Sequence, residues 1–172
     1  MNYTIVKKLP PVEEVIQEFP ASTAAQEKIA RDITEVKNIL SGKDKRLLII
    51  VGPCSAWPKP AVMEYAARLK SLSEKIKGRL KLVMRVYIQK PRTTKGWTGP
   101  VNQPDPLGYP DIEAGVKYTR AMMVKVIEMG LPWCSTLLRI YTFWWGKIAS
   151  YFLGNFWLLL LKLCKICSKC FW

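Results

Sequence analysis

The stretch Leu47-Leu48-Ile49-Ile50-Val51-Gly52-Pro53-Cys54-Ser55 decides how this chain is read. Arg46 to Val51 is an almost uninterrupted apolar run, which predicts a strand buried on both faces. Gly-Pro stops the strand, and a thiol and a hydroxyl follow. A second run, Leu80-Lys81-Leu82-Val83-Met84-Arg85-Val86-Tyr87-Ile88, predicts another strand. It leads into Lys90-Pro91-Arg92-Thr93-Thr94-Lys95-Gly96-Trp97. Between the two, residues 61–77 place Val62, Tyr65, Leu69, Leu72 and Ile76 on one helical face, with Gly78 closing the helix. Strand, helix, strand predicts a parallel sheet in an α/β fold. The C-terminal ends of such strands share one side, where ligands bind.

Upstream, Ser22 is a predicted N-cap for a helix with Ala25, Ile29, Ile33, Val36 and Ile39 on its apolar face. Ser41-Gly42 ends that helix. Residues 1–20 carry Pro10, Pro11 and Pro20 and predict an arm with one short helical turn. Downstream, residues 95–110 form a Gly- and Pro-rich loop, long enough in an α/β unit to suggest a functional role. Asp111 is expected to cap a third helix with Ile112, Val116, Met122, Met123, Val126 and Ile127 inward, and Gly130 marks its stop. A further strand should follow Pro132, but no strand signal is evident there.

The 172 residues suffice for one domain with a core. The formal net charge is +14, which alone would suggest nucleic acid or an anionic membrane. Its distribution argues otherwise. All 13 acidic residues precede Pro132, where they face 22 Lys and Arg, whereas residues 133–172 carry five cations and no acid. The same forty residues hold five of the seven Trp and four of the five Cys. Two compositions therefore join near Leu131-Pro132-Trp133. Met1 to Pro11 has neither an apolar signal region nor transit-peptide character, so the expected location is cytoplasmic and Cys54 is a reduced thiol.

Cys54 at a strand end could ligate a divalent metal, act as a nucleophile, or sit as a small buried hydrophobe. The sequence has no His, which removes a Cys–His nucleophile pair and leaves metal ligation as the better functional role. Arg85 lies inside a strand among apolar neighbours, where an Arg is seldom found without a partner. Arg85, Lys90, Arg92 and Lys95 fall within eleven residues. Guanidinium groups suit bidentate carboxylate and phosphate contacts. The bland alternative is a solvated basic loop, which an Arg within a strand makes less comfortable.

Gly52-Pro53-Cys54-Ser55, Met84-Arg85-Val86-Tyr87 and Lys90-Pro91-Arg92-Thr93-Thr94 with Gly96-Trp97 together resemble the class I 3-deoxy-D-arabino-heptulosonate 7-phosphate synthases. These are also called phospho-2-dehydro-3-deoxyheptonate aldolases. The resemblance spans roughly residues 8–132 and includes Val101-Asn102-Gln103-Pro104-Asp105-Pro106. It implies condensation of phosphoenolpyruvate with erythrose 4-phosphate, the first step of the shikimate pathway to aromatic amino acids. It also implies a divalent metal (Mn, Fe, Co or Zn class), a (β/α)8 TIM barrel and a homo-oligomer. Carried over residue by residue, it makes Cys54 a metal ligand. Arg85 and Lys90 become phosphoenolpyruvate contacts, with Lys90 also assigned the catalytic role. Pro91, Arg92 and Thr93 become erythrose 4-phosphate contacts.

A barrel of this kind needs roughly 250 residues, and the family's remaining ligands (His, Glu and Asp) have no counterpart here. The expected architecture is therefore α/β, an incomplete TIM barrel. Residues 1–45 are the arm and helix, 46–132 a partial barrel domain with the first two βα units, and 133–172 an unrelated hydrophobic tail. On this reading the tail is out-of-frame or intron-derived, the metal is not retained, and the chain is inactive alone. The alternative is a non-catalytic fragment that associates with a full-length paralogue and modulates it. Cys164, Cys167 and Cys170 have the spacing to begin a zinc or iron–sulfur site. The apolar stretch Ile148 to Leu161 is too short to span a membrane, though an interfacial helix is conceivable. Neither nucleic acid nor membrane is assigned as a partner.

Overall fold

The structure is a computed structural model, and it describes residues 8–90 and 96–135. The described chain is α/β with a small parallel sheet. Helices α1 (Val12–Glu18) and α2 (Thr23–Leu40) precede strand β1 (Leu47–Val51). Helix α3 (Lys59–Ile76) and strand β2 (Leu80–Arg85) follow, then α4 (Ile112–Glu128) and β3 (Trp133–Cys134). The strand order is β1-β2-β3 with both pairings parallel, so β2 is central. Leu47 faces Leu80 at one end, and Val51 faces Met84 at the other.

Local chemistry accounts for the helix boundaries. The Ser22 hydroxyl accepts from Ala25 N at 3.1 Å, and the Asp111 carboxylate from Ala114 N at 3.1 Å, so both expected N-caps are in place. Glu128, at the end of α4, also accepts from Ser22 N and Ser22 Oγ, at 2.8 and 2.9 Å. It thereby ties the start of α2 to the end of α4. The expected single helical turn in the arm is a seven-residue helix, α1, whose Val12 and Val15 are buried.

The main core lies between β2 and the helices: Leu82 and Met84 meet Val62, Ala66 and Leu69 of α3, and Val116, Met122, Met123, Val126 and Ile127 of α4. A smaller cluster joins Val36 of α2 to Val83 and Cys134. Three sequence expectations are corrected here. First, β1 is not buried on both faces. Leu47 is 66% exposed and Ile49 38%, whereas Leu48 and Ile50 on the other face pack against the cluster around Val36 of α2. Second, Leu72 of α3 and Ile112 of α4 are not inward; both are exposed, and Ala66 fills the inner face of α3. Third, a strand does follow Pro132. Met84 N donates to Pro132 O and Val86 N to Cys134 O, both at 2.8 Å. Trp133 and Cys134, expected in the tail, thus belong to the sheet. Residues 136–172 of that tail, Cys164, Cys167 and Cys170 included, lie outside the described residues.

An ion network fastens α2 to the sheet at the N-terminal ends of the strands. Lys81 of β2 donates to Asp32 at 2.6 Å and to Glu35 at 2.9 Å. Lys28 holds Asp32 from the same helix, and Arg46 bridges Glu35 and Asp44. Partial burial pushes the Glu35 carboxyl up, but hydrogen bonds from Lys81 and Arg46 outweigh this and leave it below its ordinary value. Hydrogen bonding to Asp44 in turn raises the Arg46 guanidinium.

Candidate functional site

At the opposite ends of the strands, the chain after β1 carries Cys54, β2 ends in Arg85, and β3 ends in Cys134 directly beside it. Close backbone contact sets the geometry. A Cβ on Gly52 would lie 1.9 Å from the Arg85 carbonyl oxygen, so only glycine fits as the chain leaves β1. That proximity lets Arg85 Nη2 donate to Gly52 O at 2.9 Å. The Arg85 guanidinium carbon also lies 4.6 Å from the centre of the Tyr87 ring, a cation–π contact. Among the described residues, Arg85 Nε is buried without a hydrogen-bond partner.

Lys90 follows at the start of the long loop. Its backbone N–H donates to Thr98 O at 2.8 Å, closing the turn that returns the chain alongside it. Gly99, at φ +106, makes the next close approach, with Ile88 O only 2.6 Å from where a Cβ would sit. Trp97 is thereby set beside Lys90, whose ammonium lies 5.6 Å from the centre of the ring. The Trp97 indole N–H donates to Gln103 O at 2.7 Å, and its ring meets Trp57 in a T-shaped contact, 6.4 Å between centroids.

Cys54 is exposed and sits three residues before Trp57. Cys134 is its opposite: burial pushes its thiol up to about 12, against a smaller pull from Arg85. Among the described residues no three His, Cys, Asp or Glu side chains gather to hold a metal. One thiol does not make a divalent-metal site, so no chemical step is derived through a metal here.

The structure thus brings Arg85 and Lys90 to the strand ends with Cys54 on the neighbouring loop. Pro91, Arg92 and Thr93 lie outside the described residues. Sequence reasoning missed the hosts of the two cations: Tyr87, Trp97 and the Gly52 carbonyl. An aromatic two residues from an in-strand Arg, and a Trp shortly after a Lys, were the available signals.

Neither Arg85 nor Lys90 meets a carboxylate among the described residues. Cations at the C-terminal ends of a parallel sheet, with no carboxylate beside them among the described residues, lie where α/β proteins bind their ligands. Comparison with known proteins gives the family. The model of the DAHP synthetase I family matches residues 18–140, and the chain belongs to that family. The chain is 43% identical over 120 residues to the Tyr-sensitive phospho-2-dehydro-3-deoxyheptonate aldolase of Salmonella typhimurium, which covers 70% of this chain and 34% of that protein. It is 39% identical over 134 residues to the phospho-2-dehydro-3-deoxyheptonate aldolase of Haemophilus influenzae, covering 78% of this chain and 37% of the other. The solved phospho-2-dehydro-3-deoxyheptonate aldolase from Francisella tularensis superposes with a TM-score of 0.78 at 35% identity, over 88% of this chain and 43% of that one. The chain therefore spans about a third of the length of the curated relatives it matches. The family match also runs past Pro132, further than the resemblance read from the sequence. No helix among the described residues is long and apolar enough to cross a membrane.

Proposed function

We propose that these residues serve the condensation of phosphoenolpyruvate with erythrose 4-phosphate and water, the first step of aromatic amino acid biosynthesis. Arg85 and Lys90 receive the carboxylate and phosphate of phosphoenolpyruvate. Pro91, Arg92 and Thr93 receive erythrose 4-phosphate, and Cys54 stands where the family places one metal ligand, without fellow ligands beside it among the described residues. The described elements are read as the arm and first βα units of a (β/α)8 barrel, cytosolic and homo-oligomeric when whole.

One observation carries this reading. Lys81 and Arg85 lie on the same strand, yet Lys81 is held by two carboxylates and Arg85 by a carbonyl and a ring. Positive charge is cancelled at one end of β2 and kept at the other. Titration of the chain with phosphoenolpyruvate, followed by heteronuclear NMR, tests it. Binding should be saturable and should weaken at least tenfold in Arg85→Ala and in Lys90→Met. Equal weakening by substituting Lys37, distant on the surface of α2, would mean nonspecific charge attraction and end the proposal.

A polypeptide of these 172 residues holds no His and one candidate metal ligand at this site. We infer that it does not turn over by itself. An assay with both substrates and Mn²⁺ would refute this by showing turnover clearly above a Cys54→Ser control. The unrelated tail was expected from residue 133, but Trp133 and Cys134 join the sheet and the family match reaches residue 140, so we read only the residues from 141 onward as out-of-frame or intron-derived. The nucleotide sequence across codons 132–141 decides: family-like coding in another frame or exon supports that reading, and continuous in-frame coding in independent transcripts sinks it.

A further inference from the structure

We propose that Trp57 and Trp97 are positioning residues that hold the Lys90 ammonium and couple its loop to the loop carrying Cys54. The inference rests on the reading of Lys90 as a phosphoenolpyruvate contact. It starts from a Lys side chain that reaches an aromatic face, with its ammonium 5.6 Å from the centre of the Trp97 ring. A lysine is a point charge on a flexible stem, so its placement depends on what it rests upon. Trp97 is itself fixed on two sides. Its N–H is tied to Gln103 O at 2.7 Å, and its ring abuts Trp57 at 6.4 Å with an interplanar angle of 69°. Asn102 Nδ2 donates to Thr98 Oγ1 at 3.1 Å, bracing the same loop.

Trp57 is 40% exposed, which core packing does not explain. It belongs to the segment after β1, and Trp97 to the segment after β2. Their contact joins the segments that follow two neighbouring strands. Displacing Trp57 therefore frees Trp97 on one side and lets the Lys90 ammonium leave its ring. The aromatic face holds the ammonium without neutralising it, as an anion-binding lysine requires.

The test uses the 172-residue chain with isotope-labelled lysine. In the wild type the ε-methylene signal of Lys90, assigned by its loss in Lys90→Met, should be shifted upfield by the indole ring. Trp57→Ala should return that signal toward the exposed-lysine position and weaken phosphoenolpyruvate binding between about twofold and fivefold. Trp57→Phe should restore both. Should Trp57→Ala lose the spectral dispersion of a folded chain, Trp57→Leu replaces it under the same criteria. An unshifted Lys90 signal in the wild type, or one that Trp57→Ala does not move, overturns the proposal. If Lys90→Met leaves phosphoenolpyruvate binding unchanged, the substrate reading fails instead, and the Lys90 signal still decides the role of the tryptophans.

Discussion

Replacing Gly52 by Ala should be among the most damaging small substitutions in this chain. The added methyl would sit 1.9 Å from the Arg85 carbonyl oxygen, 2.7 Å from its carbon and 2.9 Å from its nitrogen. All three are backbone atoms, so no rotamer change relieves the clash. The end of β1 and the Arg85 backbone must separate by about 1 Å or more in a close-packed region. Overpacking of this kind costs about 1–3 kcal/mol. A backbone obstacle places it toward the upper end, and the strained Arg85–Gly52 hydrogen bond adds about 1 kcal/mol. The expected total is about 3 kcal/mol. Gly78→Ala is the matched control, because nothing lies within 4 Å of its Cβ position. Both substitutions restrict the unfolded chain alike, so their difference isolates the clash. Urea unfolding followed by circular dichroism should show Gly52→Ala with a midpoint about 1.5 M below the control. Phosphoenolpyruvate binding should weaken as well, since Arg85 loses its seat. A difference between the two variants below about 1 kcal/mol would refute the reasoning.

Lys81→Met leaves the buried Asp32 carboxylate with Lys28 alone, and should cost about 2–3 kcal/mol in urea unfolding. Adding Asp32→Asn should recover part of that loss. Asp111→Ala removes the N-cap of α4 and should cost about 1 kcal/mol by thermal unfolding. The Glu35 carboxyl lies below its unfolded value, so its contribution is fully present above the unfolded carboxylate range and is lost as pH falls through the folded one. Glu35→Gln should therefore flatten the acid limb of a stability–pH profile measured between neutral pH and pH 3. Cys54 is exposed, whereas the Cys134 thiol is pushed up to about 12, so mass-mapped alkylation at pH 8 should label Cys54 well before Cys134.

Much of this fold was legible because its signals are local. Ser22 and Asp111 are caps whose side chains bond within three residues, so sequence alone located the starts of α2 and α4. The apolar runs that form β1 and β2 were equally plain. What the sequence misjudged depends on neighbours. The apolarity of Leu47 and Ile49 implied burial, but exposure is set by what covers that face of the sheet, and helix α2 packs on the face of Leu48 and Ile50. Trp133 and Cys134 look unlike a strand because two residues carry no periodicity. Their place in the sheet comes from the edge β2 offers, through Met84 N and Val86 N. At the candidate site, motif and charge pointed to Arg85 and Lys90. The atoms that hold them come from other segments, the Gly52 carbonyl across the sheet and Trp97 across a turn, and no spacing rule predicts those contacts.

On the proposed reading, the hosts of the two cations explain how a binding site can be both ordered and open. A carboxylate would fix Arg85 firmly, as Asp32 and Glu35 fix Lys81, but it would also cancel the charge an anionic substrate needs. A peptide carbonyl and an aromatic face attract a cation through dipole and quadrupole, leaving its net charge intact. Arg85 on Gly52 O and Tyr87, and Lys90 on Trp97, follow that rule. The close approach that excludes any residue but glycine at 52 is what brings the carbonyl within reach of Arg85. The ion network at the far end of β2 anchors the strand with the carboxylates that the near end does without. Stability and charge are thus assigned to opposite ends of one strand, and the end that keeps its charge is the one where parallel sheets bind ligands.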